Sequence, residues 1–176
     1  MSGHNKWSKI KRQKGASDIQ KSKIFTKLGR FIAVEAKKSG GNLSSPGLAA
    51  AIKKAKEENM PNDTIDRAIK KATTDNSAAM ENVTYEAYGP GGCALVIEAL
   101  TDNRNKAAQE VKHILALHGF ELAGMGSATW AFQKTHEGWV PQTTVAIGEE
   151  DGKVLEQIMG ELEENDEVQE VYTNAE

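Results

Sequence analysis

Hydrophobic positions recur at spacings of three and four through the first part of the chain, a period typical of amphipathic helices. Ser17 or Asp18 can cap the start of the first such helix, and Gly40 with Gly41 can end it. Its apolar stripe consists of Ile24, Phe25, Leu28, Phe31 and Ile32.

Two shorter helices are predicted next. Ser45 followed by Pro46 is typical of a helix start, because proline at the first helical position loses no hydrogen bond. Met60 and Pro61 end this helix, and Asn62 or Asp63 begins the third. Their apolar positions are Leu48, Ala51, Ile52 and Ala55, then Ile65, Ala68, Ile69 and Ala72. Three short amphipathic helices in succession predict a small bundle.

After residue 76 the pattern changes to strands that alternate with helices. Strands are predicted over residues 83–88, 93–100, 127–132, 139–147 and 168–173, with Pro141 indicating an edge position or a bulge. One helix follows residues 101–105 and ends at Gly119; another carries Val154, Leu155, Ile158 and Leu162. This order predicts a ferredoxin-like (split βαβ) antiparallel sheet with two helices on one face. The fold class is therefore α+β, with domains at residues 1–76 and 77–176.

Composition limits the class of protein. The chain has 176 residues, of which 39% are hydrophobic and 27% charged, values typical of a folded soluble protein. The longest apolar stretches, such as residues 92–99, are too short to cross a bilayer, and the N-terminus lacks the apolar core of a signal peptide. Cys93 is the only cysteine, so no internal disulfide can form. These features favour a cytoplasmic protein.

Charge is segregated along the chain. Residues 1–76 hold 17 of the 22 Lys and Arg but 7 of the 25 Asp and Glu, a net of +10, whereas residues 77–176 have a net of −13. The basic half would be attracted to a polyanion and the acidic half repelled. The alternative is that both halves are ordinary solvated faces.

Ten residues are the candidates for nucleic-acid binding. A basic arm surrounds Trp7, and further cations lie on the first predicted helix. The cations would contact phosphates, while Trp7 would either stack on a base or pack against the bundle. The set is Lys6, Trp7, Lys9, Lys11, Arg12, Lys14, Lys21, Lys23, Lys27 and Arg30.

Signals for catalysis are weak. The histidines (His4, His113, His118 and His136) lack zinc-site spacing, and the glycines at 89, 91 and 92 lack the lysine of a phosphate-binding loop. Cys93 lies in an apolar run, where a buried side chain is expected rather than a nucleophile. The sequence therefore predicts no enzyme, no metal or nucleotide cofactor and no small-molecule substrate. The polar loop Asp102-Asn103-Arg104-Asn105 either binds a ligand or caps the helix that follows it.

Several stretches resemble the YebC-type family in order along nearly the whole chain. They are GHNKWSKIKRQKGASDIQKSKIFTKLGR, NMPNDTIDRAIKKA, TYEAYGPGG, LTDNRNKAAQEVKHIL and DEVQEVYTN. The resemblance implies a helical N-terminal domain followed by α/β domains. Typical members carry a further α/β domain between the segments near Phe132 and Trp139, where this chain has only residues 133–138. The resemblance thus implies a short form whose two middle strands can pair as a hairpin.

Two functions follow from the resemblance together with the charge pattern. Members are mostly described as probable DNA-binding transcriptional regulators of the cytoplasm, which is our first expectation. The alternative is a translation factor that binds ribosomal RNA, since relatives activate translation or act on ribosomes stalled at proline-rich sequences. A weaker third hypothesis is a protein-interaction module whose acidic half recruits a basic partner. The oligomeric state cannot be predicted from these features.

Overall fold

The computed structural model describes residues 18–76 and 79–176, with side chains from Lys21 onward. The helices in these ranges are α1 (Asp18–Ser39), α2 (Pro46–Glu57), α3 (Asn62–Thr74), α4 (Arg104–Leu117) and α5 (Glu149–Glu164). The strands are β1 (Glu81–Tyr88), β2 (Ala94–Thr101), β3 (Leu122–Ala123), β4 (Phe132–Thr135), β5 (Gly138–Pro141) and β6 (Val168–Thr173). Short 3₁₀ turns lie at Pro90–Gly92 and Thr129–Ala131. The predicted α+β class is confirmed.

The described residues divide into two compact units. A helical unit comprises the described residues up to Glu81 together with Leu100–Asp102, and an α/β unit comprises Asn82–Ala99 and Asn103–Glu176. In the helical unit α1 packs against α2 and α3 around a core that includes Leu28, Ile32, Leu48, Ala51, Met60 and Ile65. This core contains the apolar positions that the sequence predicts for the bundle.

The three helices of this unit begin and end close to the predicted residues, because local signals determine their ends. Gly40 and Gly41 adopt positive φ after α1, and the Gly41 N–H donates to the carbonyl of Ala36. Pro46 begins α2, although the side chain of Ser45 makes no capping hydrogen bond. In the part of the chain that the structure describes, no helix combines the length and apolar character needed to span a bilayer.

The α/β unit is built on a four-stranded sheet with the order β3-β1-β2-β6. β3 pairs antiparallel with β1, and β6 pairs antiparallel with β2. Successive residues of β2 point to opposite faces of the sheet. Leu95 and Ile97 pack with α4 and α5 on one face, whereas Ala94 and Val96 pack with the segment around Phe132 on the other. Cover on both faces explains why β2 is an almost continuous apolar run.

The segment after β3 differs from the prediction. Residues 127–132 were expected to form a strand, but the structure has a 3₁₀ turn at Thr129–Ala131 and β4 begins only at Phe132. The N–H groups of Gly126, Ala128 and Thr129 donate to the carboxylate of Glu86, so they cannot join a strand ladder. A contact distant in sequence thus overrides the local strand pattern.

The predicted hairpin between the two middle strands is present, but it forms a separate two-stranded sheet. β4 pairs antiparallel with β5 across a two-residue turn, with Thr135 opposite Gly138. β5 ends at Pro141 instead of continuing to residue 147, since proline has no N–H to donate to a ladder. The Trp139 indole donates to Glu98 at 2.6 Å, which attaches the hairpin to the main sheet.

Gly138 should be essential for this hairpin. Its φ is +120°, and a Cβ there would lie 2.8 Å from Cζ of Tyr172. We expect Gly138→Ala to lower the free energy of unfolding by more than about 1 kcal/mol, because alanine is strained at this φ and collides with the phenol ring. Urea unfolding of the purified chain measures the effect.

Gly160→Ala is the matched control. Gly160 lies within α5, and no atom outside the backbone of its own helix lies within 4 Å of the position that a Cβ would take. Alanine there should stabilise the protein by about 0.5–1 kcal/mol, because it restricts the unfolded chain. Equal effects of the two substitutions would contradict the geometry assigned to the β4–β5 turn.

Candidate nucleic-acid interface

Six of the ten candidate residues lie outside the described residues. They are Lys6, Trp7, Lys9, Lys11, Arg12 and Lys14. Their proposed roles, including the choice between stacking and packing for Trp7, remain predictions.

The other four candidates lie on α1 and do not all share one side of the helix. Lys23, Lys27 and Arg30 are half-buried and follow each other at spacings of four and three, which places them along one stripe. Lys21 is exposed and borders a shallow groove that Phe25 and Gly29 also line. The first three can therefore act together, while Lys21 faces a different direction.

Arg30 has a partner within the helical unit. Its Nη1 donates to the backbone carbonyl of Leu100 at 3.2 Å. This bond gives Arg30 a structural role in the helical unit, in addition to its place among the candidates for phosphate contact.

Further cations are displayed on α2 and α3: Lys53, Lys54, Lys56, Arg67, Lys70 and Lys71, all exposed. Lys56, Lys70 and Lys71 form no ion pair with any side chain that the structure describes. Lys53 lies 3.9 Å from Glu57 at the surface, a pair that contributes little to stability. Residues 18–76 have 12 basic and 7 acidic side chains, so this described part of the chain carries half of the net charge of +10 assigned to residues 1–76.

In the polar loop before α4, Asn103 supports the capping interpretation. It is the N-cap residue of the helix, and its Oδ1 accepts a hydrogen bond from the Lys106 N–H at 3.1 Å. This bond satisfies one of the N–H groups that the first turn of a helix leaves without a helical partner. Arg104 and Asn105 are exposed at the start of the helix.

Glu86 is a residue that sequence reasoning missed. It is only 5% exposed, and its carboxylate accepts backbone hydrogen bonds from Gly126, Ala128 and Thr129 at 2.7, 2.7 and 2.8 Å. Burial by itself would raise the pKa of Glu86, but these bonds and one from the Thr129 side chain lower it below its ordinary value. An ionised carboxylate therefore holds the loop after β3.

Two observations on the described residues concern metal-ligating and nucleophilic side chains. Among residues 18–76 and 79–176, no three His, Cys, Asp or Glu side chains are grouped to hold a metal ion. Cys93 is fully buried, and burial raises the pKa of its thiol. A buried thiol of raised pKa is a poor nucleophile at neutral pH.

Comparison with family profiles covers almost the whole chain. Residues 5–75 match the profile of the TACO1/YebC protein N-terminal domain. Residues 80–137 and 134–175 match the profile of the TACO1/YebC second and third domain. The two latter matches meet at the β4–β5 hairpin, which is where the resemblance places the missing insertion.

Similar proteins carry the name "Probable transcriptional regulatory protein". The one from Fervidobacterium nodosum is 53% identical over 136 residues, covering 76% of this chain and 54% of the relative. The one from Rubrobacter xylanophilus is 47% identical over 154 residues, covering 86% of this chain and 61% of the relative. The chain thus spans about half to three fifths of the length of these two relatives. A relative from Desulfosudis oleivorans is 43% identical over 181 residues, covering all of this chain and 72% of the relative.

A solved structure has the same fold. The crystal structure of a conserved hypothetical protein from Aquifex aeolicus aligns with a TM-score of 0.81 at 30% sequence identity. The alignment covers 90% of this chain and 91% of that chain.

Glu86→Gln should destabilise the α/β unit in a pH-dependent way. The glutamine amide keeps one acceptor oxygen but turns its NH₂ group towards backbone N–H donors. We therefore expect the free energy of unfolding to fall by about 2 kcal/mol at pH 7. The pKa of Glu86 is lower in the folded protein than its ordinary value of 4.5, so the ionised carboxylate stabilises the fold above pH 4.5. This stabilisation is lost as the pH falls through the folded-state pKa. The difference in unfolding free energy between the original chain and Glu86→Gln should therefore shrink below pH 4.5.

Glu156→Gln serves as the control, because Glu156 is an exposed carboxylate on α5. Urea titrations of the three proteins from pH 7 down to pH 3 make the comparison. A Glu86→Gln deficit that stays constant across this range would show that the ionised carboxylate does not hold the loop.

Proposed function

Because the chain belongs to the TACO1/YebC family, we propose that it is a non-enzymatic, nucleic-acid-binding regulator of gene expression, acting in the cytoplasm as a DNA-binding transcriptional regulator. The observation that carries the proposal is the net charge of +10 in residues 1–76 beside −13 in the remainder. A polyphosphate attracts the first region and is repelled by the second. The names of the relatives support transcription as the process.

The contacts are assigned to the basic arm and to α1. Lys6, Lys9, Lys11, Arg12 and Lys14 would neutralise phosphates together with Lys21, Lys23, Lys27 and Arg30, while Trp7 would stack on a base. The stripe of Lys23, Lys27 and Arg30 supports this assignment, since cations along one side of a helix can follow a phosphate backbone. Phosphate contacts give affinity and orientation without reading sequence.

Ribosomal RNA is the competing target. It presents the same phosphates, so the charge pattern accommodates it equally, and an arm with one aromatic residue also suits structured RNA. Neither target requires a metal or nucleotide cofactor in this proposal. Binding experiments must therefore separate the nucleic acids.

Neutralising two arm lysines should reduce the salt dependence of binding. Each phosphate contact releases counterions, so log affinity falls with log salt by about 0.9 per duplex phosphate contact or about 0.7 per single-strand contact. Lys9→Gln combined with Lys11→Gln should flatten this slope by roughly one to two units and weaken binding to all sequences similarly. Fluorescence anisotropy with labelled duplex DNA over a salt series measures both effects.

The matched control is Lys112→Gln combined with Lys153→Gln, two exposed lysines of the α/β unit. This variant should keep the original slope, although it removes the same charge. If the arm variant also keeps the full slope on duplex DNA and on ribosomal RNA, the arm is not the contact surface. The cations of α2 and α3 (Lys53, Lys54, Arg67, Lys70 and Lys71) would then be the next candidates.

Competition between targets separates transcription from translation. As a transcriptional regulator, the chain should bind promoter-length duplex DNA at physiological salt and should not co-sediment with ribosomes once that duplex is added. The measurement is sedimentation of purified ribosomes with the full chain, with and without competing duplex. Co-sedimentation that the duplex does not reverse would contradict the DNA assignment and favour the ribosomal one.

A further inference from the structure

Three of the five exposed large hydrophobic side chains among the described residues of the α/β unit lie in or against one loop. Among the described residues of this unit, Tyr88 at the end of β1 is 38% exposed, Trp130 is 62% exposed and Met125 is 99% exposed. Met125 and Trp130 share the loop that follows β3, and Tyr88 contacts the same loop. Aromatic residues and methionine are the side chains enriched at protein interfaces. We call these three residues the aromatic patch.

Hydrogen bonds hold Tyr88 and Trp130 of the patch in one arrangement. The Tyr88 hydroxyl donates to the carbonyl of Ser127 and accepts from Nε1 of Trp130 at 2.9 Å. The loop backbone is fixed by the carboxylate of Glu86. The indole of Trp130 therefore remains exposed while its polar atom is already satisfied. A surface arranged in advance loses little conformational entropy on binding.

The charge of the α/β unit indicates which class of partner fits. Its described residues, 82–99 and 103–176, include 16 acidic and 5 basic side chains. This field repels a phosphate backbone and attracts a cationic partner. Base stacking on Trp130 would bring phosphates towards the acidic unit, so nucleic acid is the less suitable occupant.

We propose that the aromatic patch docks a basic protein segment, with an apolar side chain of that segment packed against Trp130 and Met125. The flanking lysines or arginines of the segment are attracted by the net negative charge of the unit, and an arginine can also lie over the indole face. Lys134 already makes such a contact within this unit, with its Nζ 4.9 Å from the ring centroid of Trp139.

Binding of defined peptides to the full chain tests the proposal. The probes are short fluorescein-labelled peptides with several arginines around one leucine, phenylalanine or methionine, followed by anisotropy. Trp130→Ala should weaken their binding by about tenfold or more, the loss typical of an interface hot spot. Met125→Ser, a change at a fully exposed side chain, should weaken it several-fold.

Leu117→Ser is the matched control, because Leu117 is 64% exposed on the same unit but lies at the end of α4. It should leave peptide binding unchanged. A thermal unfolding transition of each variant shows whether that variant is folded. If Trp130→Ala is not folded, peptide binding by Met125→Ser decides the test.

Three results would overturn the proposal. In the first, no basic peptide binds in a way that depends on Met125 or Trp130. In the second, peptides with glutamate in place of arginine show the same dependence on Trp130. In the third, Trp130→Ala weakens binding of single-stranded RNA but not of the basic peptides, which would identify the patch as a base-stacking surface. The last outcome leaves the salt-dependence test of residues 1–76 unaffected, so the two proposals can fail separately.

Discussion

Strand β2 has to be covered on both faces, and the rest of the α/β unit follows from that constraint. Leu95 and Ile97 require the layer of α4 and α5, whereas Ala94 and Val96 require cover on the opposite face. The chain supplies this second cover with the segment from the loop after β3 through the β4–β5 hairpin. In this chain a two-residue turn between Thr135 and Gly138 closes the hairpin.

The carboxylate of Glu86 connects that covering segment with the exposed surface. By binding three backbone N–H groups it stops the loop from becoming a strand, and it keeps Ala128 in the core while Trp130 stays outside. The same interaction thus serves the packing of the sheet and the display of the aromatic patch. Under the two proposals, the basic charge of residues 1–76 serves binding to phosphates and the acidic charge of this unit serves binding to a basic partner.

Local signals account for what the sequence predicted correctly. Gly40 and Gly41, Pro46 and Pro61 determine where the first three helices end or begin, and their apolar stripes form the core of the helical unit. β2 was also found, because it is a largely apolar run of strand length, and β6 was found although Gln169 and Glu170 interrupt its apolar residues. β3 has only two residues and is too short to show a period.

The candidate site was predictable in part. Charge counts identify the basic half, but they cannot show that Arg30 contacts the Leu100 carbonyl or that Lys21 faces away from the Lys23 stripe. No sequence pattern indicated the role of Glu86, because its hydrogen-bond partners lie about forty residues away in the chain.

The central claim is that nucleic acid is bound by residues 1–76 and avoided by the acidic unit. Ultraviolet cross-linking of the full chain to labelled nucleic acid, followed by mass spectrometry of the linked peptides, tests it most directly. The account predicts cross-links confined to peptides of residues 1–76, and cross-links mainly within residues 79–176 would contradict it.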